Sequence, residues 1–215
     1  MMTMIKRYIF IAFIFAVQKI SAQHNDMATW VQAGGEFDLP KGFTLDISEQ
    51  LRYNIETADP YRLLTDVAVG YKINKKLKTS FEYRYSSLAD SKYNRIAASL
   101  SYRDGFGSFD IGFKTKLQYG FTLISGEDRS AWRNKITLKY DELKNINPYL
   151  SYEVFYSIAN TENKFDNIRP EAGIEWQISD THDISLYYMI DKPFNENDPL
   201  TLYVIGLNYL VKFKV

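Results

Sequence analysis

The chain has 215 residues, 26 Lys+Arg against 26 Asp+Glu, no cysteine, and an aromatic content of 16% that includes 17 Tyr and 14 Phe. Zero formal charge without a basic stripe argues against a nucleic-acid partner, and the missing cysteines exclude a disulfide framework or a thiolate metal site. The mean hydropathy of −0.31 does not exclude a membrane, because a barrel strand is apolar on one face only.

Lys6 and Arg7 precede an apolar run, Tyr8 to Val17, followed by a small-residue exit at Ser21-Ala22. The run is about half the ~20 apolar residues that a spanning helix requires. Residues 1–22 therefore read as a secretory signal peptide cleaved before Gln23, with an uncleaved anchor as the lesser alternative. Residues 23–215 form one domain, since no linker, like-charge block or low-complexity tract divides them.

From there the sequence alternates with period two, the pattern of strands with two different faces. A weaker strand around Trp30 to Leu39 comes first. In residues 43–54, Phe43, Leu45, Ile47, Leu51 and Tyr53 share one face, while Thr44, Asp46, Ser48, Gln50, Arg52 and Asn54 share the other. The same alternation recurs over 62–73, 77–85, 95–103, 109–119, 132–140, 150–157, 168–178 and 183–191, and in a last strand from about Leu200 to Val215. Each segment has the ~10 residues a tilted strand needs to cross a bilayer. These segments number eleven, whereas single-chain bacterial barrels are even. The expectation is 10–12 strands, with residues 23–29 starting an extra strand or one segment miscounted.

Short turns at Pro40–Gly42, Asn74–Lys76, Asp104–Gly107 and Ser179–His182, and a slightly longer one at Asp141–Asn147, alternate with longer polar loops at 55–61, 86–92, 122–130, 157–167 and 192–199. Short periplasmic turns and longer external loops are the outer-membrane pattern. Backbone polar groups in hydrocarbon must be paired, so the sheet has to close, and Tyr209, Val211, Phe213 and Val215 give the last strand an apolar face for this. Tyr53, Tyr85, Tyr93, Trp132, Tyr156 and Tyr203 fall near the long-loop ends, and Phe43, Tyr71, Tyr102, Phe109, Tyr140 and Trp176 near the short-turn ends. They read as two interfacial girdles, although good strand formation explains part of this. Glu49 and Asn134 fall on the lipid face, which a register-resetting bulge would explain. The fold expected is all-β: an antiparallel up-and-down transmembrane β-barrel. A soluble sandwich or lipocalin-like fold is the lesser alternative.

Trp30, the run Glu49-Gln50-Leu51-Arg52-Tyr53-Asn54, Gly70-Tyr71, Tyr83-Arg84, Trp132-Arg133-Asn134-Lys135, Pro148-Tyr149 to Tyr152-Glu153-x-Phe155, and Arg169 with Gly173 follow one another along the mature chain. In that order and spacing the chain resembles the domain of unknown function 2490 family of Bacteroidetes-type outer-membrane β-barrel proteins. The resemblance implies the barrel fold and carries no activity.

The chemistry for an enzyme is thin. His24 in the mature N-terminal tail and His182 in a short turn are the two imidazoles, and neither sits mid-strand beside an alternating serine. No catalytic residue, cofactor or metal site is expected, and the acidic run Asn195–Asp198 reads as a solvated loop. Organised chemistry lies on the polar face, where Arg52, Arg84, Arg95, Arg103, Lys114, Lys116, Arg133, Lys135, Lys139, Glu153, Arg169, Glu171 and Glu175 are the lumen-facing candidates. The cations from 95–139 form a basic wall, and Glu153, Glu171, Glu175, Asp183 and Asp191 an acidic one. Either the lumen is open and these charges set selectivity, or the side chains pair across it and fill it. Inward Gly70, Gly112, Gly173 and Gly206 leave room for them. The functions in view are a narrow channel for ions or small polar solutes, a non-enzymatic structural or interaction barrel, and, least favoured, a lipid-modifying enzyme. The partners expected are outer-membrane lipid and small polar solutes or ions.

Overall fold

A computed structural model describes residues 25–56, 60–88, 92–122, 128–158, 163–195 and 198–214. The signal peptide expected at 1–22 and His24 lie outside the described residues. Eleven strands form among the described residues: β1 Asn25–Asp38, β2 Phe43–Asn54, β3 Pro60–Lys72, β4 Leu77–Leu88, β5 Lys92–Phe106, β6 Phe109–Phe121, β7 Arg129–Tyr140, β8 Ile146–Ile158, β9 Lys164–Gln177, β10 His182–Pro193 and β11 Thr201–Lys214. Each pairs with its sequence neighbours in antiparallel register, and β1 pairs with β11 to close the barrel.

The strand count is odd, and the seam shows its consequence. In an up-and-down chain of eleven strands the first and last run the same way, so they can meet only in parallel. The pairing extends from Asn25↔Thr201 to Asp38↔Lys214 without a break. Residues Asn25–Thr29 are the start of β1 and not an additional strand.

Where the chain reverses between β1 and β2, Lys41 (φ 62) and Gly42 (φ 82) both take the left-handed region. Between β5 and β6 two residues suffice, with Gly107 at φ 58, because glycine enters that region without a Cβ clash. The strand β5 continues through Phe106, so the turn expected at Asp104–Gly107 contracts to Gly107-Ser108. His182 is likewise the first residue of β10 and not part of a turn.

The expected contrast between short turns and long loops is weaker in the structure. Pro60 and Tyr61 belong to β3, residues 86–88 to β4, Lys92 to β5, Ser157 and Ile158 to β8 and Lys164–Asn167 to β9, which reduces three of the long connections to 55–59, 89–91 and 159–163. Ladder pairing does not require apolar side chains, so polar strand ends read as loop in the sequence. The two longest connections, 122–128 and 194–200, still fall on one rim, called here the long-loop rim.

The outer wall carries the apolar residues. Val69 is 50% exposed, Phe81 57%, Leu117 57% and Leu150 58%, whereas Gln50, Ser86, Arg95, Ser99 and Ser151 are buried. This distribution is the inverse of a soluble protein and matches a wall facing hydrocarbon. Glu49 departs from it. It stays in register, opposite Ala33 and Thr65, and faces outward at mid-strand. Asn134 is also in register, between Thr115 and Val154. No bulge resets either position. The register shifts lie at Arg52/Tyr53 and Phe155/Tyr156, near the long-loop rim, where the ladder is easiest to interrupt.

Candidate functional site

Alternation along each strand sends one residue in two into the lumen, and there the polar residues meet. On β7 the inward set is Arg133, Lys135, Thr137 and Lys139; on β9 it is Arg169, Glu171, Gly173 and Glu175. Arg133 makes a bidentate pair with Glu153, Lys135 reaches Glu171 at 3.4 Å, and Lys139 pairs with Glu175. In this sector the basic wall meets the acidic one directly.

The rest of the basic wall turns the other way. Glu82 on β4 accepts from both Arg95 and Lys116, the latter at 2.6 Å. On β3, Asp66 pairs with Arg84, while Asp191 on β10 holds Arg169 at 2.7 Å. Glu82 and Asp66 lie on the polar faces of β4 and β3, and their role as counter-charges follows from the register of β3 to β6, which sets them beside cations of neighbouring strands.

Aromatic rings fill the half of the lumen nearer the long loops. The Arg52 guanidinium lies 3.5 Å from the centroid of Trp30, and Arg169 sits 5.8 Å from the same ring. Arg169 also stands 4.6 Å from the Phe155 ring, which Arg133 covers at 4.4 Å. Guanidinium and ring thus alternate across the lumen from β2 to β7, each contact being a cation–π interaction in a desolvated setting. Trp30 Nε1 donates to the Tyr61 hydroxyl at 3.1 Å. Ala28, Trp30, Tyr187, Met189 and Val204 form a buried cluster beside it. Trp30 and Phe155 occupy inward positions in otherwise polar rows, and that apolar interruption is the sequence signal that marks them.

Three tyrosines lie flat on the inner wall, each over a glycine. A Cβ at Gly173 would stand 2.7 Å from the Tyr149 ring, and one at Gly206 or Gly120 would collide with Tyr187 or Tyr93. Gly70 gives room to Lys78 and Thr44 instead. Tyr93 therefore belongs to the lumen and not to the interfacial girdle. It sits near a strand end, where tyrosine suits either wall, and Gly120 across the pair decides which.

Nearer the short turns the lumen opens into a cavity of about 330 Å³, lined among others by Arg103, Lys114, Lys135, Lys139, Glu171 and Glu175. All thirteen charged residues picked from the sequence face the interior, either in the ion pairs above, over Trp30 in the case of Arg52, or in this cavity. His182 faces outward, with Nδ1 2.7 Å from the Tyr209 hydroxyl.

Residues 27–199 match the family model described as Protein of unknown function (DUF2490). The chain belongs to this family. No curated protein matches this DUF2490 chain. Among solved structures it resembles the NanC porin, determined in a rhombohedral crystal form, with a TM-score of 0.53 over 81% of this chain and 92% of that one. At 9% identity the likeness concerns the fold, and the DUF2490 chain is a porin-like barrel.

Proposed function

We propose that this protein is exported by a cleaved signal peptide to an outer membrane, where it forms a narrow, non-enzymatic pore that prefers small anions. The observation that carries this is a set of lumen cations without counter-charge, Arg52 and Arg62 toward the long-loop rim and Lys114 toward the short turns. Asp66, Glu82, Glu153, Glu171 and Asp191 each have a cationic partner. Arg52, Arg62 and Lys114 have no carboxylate within 4 Å among the described residues. Asp26, Glu36 and Asp110, the inward carboxylates without such a partner among the described residues, stand near the rims. An ion crossing the lumen therefore meets uncompensated positive charge on both sides of its middle, which favours anions by direct attraction. Lumens near eight strands are filled and those of sixteen or more are open. Eleven strands with arginines and rings inside support a narrow passage.

Flux into proteoliposomes tests the proposal. Nitrate or acetate should enter faster than potassium, and potassium entering faster than either would contradict it.

A sealed structural barrel is the second reading, favoured by the Arg52–Trp30–Arg169–Phe155–Arg133 row that crosses the lumen. Flux no greater than in protein-free liposomes would select it.

A further inference from the structure

We infer that the short-turn half of the lumen holds a binding site for a small hydroxylated anion, centred on Lys114 of β6 and Arg103 of β5. The site deepens the pore reading and rests on it in one respect, that solute reaches this space through the lumen.

Space is the first observation. The cavity measures about 330 Å³, at the lower end of ligand pockets, which run from roughly 300 to 1,000 Å³. Gly112 opens onto it: the atom nearest to a Cβ there would be Thr137 Cβ at 3.7 Å. Gly120, Gly173 and Gly206 each sit under a tyrosine, whereas Gly112 faces room.

Charge is the second. Arg103 lies opposite Gly112, while Lys114 lies opposite Ser101 on one side and Lys135 on the other. Like charges directly across a ladder repel. Lys135 is offset by Glu171 and Lys139 by Glu175, but Arg103 and Lys114 have no carboxylate within 4 Å among the described residues. Asp110 also lines the cavity and would accept from a ligand hydroxyl. Lys114 is exposed to the open space.

The chemistry of the lining sets the ligand class. A carboxylate or phosphate would take charge-assisted hydrogen bonds from the Arg103 fork and the Lys114 ammonium. The hydroxyls of Ser101, Thr137 and Ser185 on the same lining suit a solute that carries hydroxyls of its own. The expected ligand is a few-carbon hydroxy acid or its phosphate equivalent.

Calorimetric titration of the refolded full chain in detergent, with tartrate as probe and glycerol as its uncharged counterpart, tests the site. Tartrate should bind saturably and glycerol should not. Lys114→Gln and Arg103→Gln should each weaken tartrate about tenfold, the size of one charge-assisted hydrogen bond, while Lys92→Gln, exposed at the long-loop end of β5, leaves it unchanged. Gly112→Val, whose Cβ would meet nothing closer than 3.7 Å and whose methyls would project into the cavity, should weaken tartrate in protein that still shows a heat-modifiable band. Absence of saturable tartrate binding, or unchanged affinity in both Gln variants, would overturn the inference. Anion-preferring flux without tartrate binding removes the site and leaves the pore, whereas binding without flux supports the site and removes the pore.

Discussion

Arg133 donates to Glu153 twice, from Nε at 2.9 Å and from Nη2 at 2.8 Å, and covers the Phe155 ring on the same strand as its partner. Both side chains are 13% exposed, so the pair is held away from bulk water in the fork geometry that arginine alone provides.

Breaking that pair from one side leaves a buried charge without a partner. Glu153→Gln should cost about 3–5 kcal/mol, and Arg133→Met combined with Glu153→Gln should recover much of it, because two neutral groups leave no orphan charge. Urea unfolding of the barrel in lipid measures both. Equal loss in the single and double variants would contradict the assignment.

The tyrosine above Gly206 gives a steric prediction. A Cβ at 206 collides with the Tyr187 ring, so Gly206→Ala should destabilise by about 1–3 kcal/mol, as overpacking does. Adding Tyr187→Leu should relieve the cost. The order of the three urea midpoints checks this.

The parallel seam can be trapped covalently, and the absence of cysteine keeps the background clean. Phe37 and Phe213 are paired across β1 and β11, with ring centroids 4.6 Å apart. Neighbouring strands lie about 4.8 Å apart, within the roughly 4.4–6.8 Å Cα span of a disulfide. Phe37→Cys with Phe213→Cys should cross-link on oxidation, and Phe37→Cys with Tyr209→Cys should not. A non-reducing gel distinguishes them.

Glu49 is the charged exception at the middle of the outer wall. A charge facing hydrocarbon is unfavourable there, less so for Glu than for Arg or Lys, so Glu49→Leu should stabilise the barrel in a bilayer by about 1–2 kcal/mol. Stability in lipid vesicles provides the test. A loss instead of a gain would mean that the side chain has work to do on that face.

Much of this architecture could be read from residue order. The strand read over 43–54 is β2, Phe43–Asn54, because lipid and lumen impose opposite chemistry on successive residues and alternation records it. Boundaries at the long-loop rim were less legible: Lys164–Asn167 look like loop yet pair as strand, since backbone hydrogen bonding is blind to side-chain polarity. The lumen was legible as charge and illegible as packing. Arg169 and Trp30 stand on strands brought together by the seam, and their stacking depends on the parallel closure that an odd strand count imposes. Glu82 was missed as a counter-charge for a related reason: its two cations come from different strands, and the shared contact appears once β4, β5 and β6 lie side by side.

The central claim is that uncompensated positive charge in the lumen selects anions. The reversal potential of single channels in a planar bilayer under a potassium chloride gradient tests it most directly, with wild type beside a variant carrying Arg52→Gln, Arg62→Gln and Lys114→Gln. A wild-type potential on the chloride side that moves toward zero in the variant is the expected result. A wild-type potential on the potassium side, or one that the three substitutions leave unchanged, would contradict the account.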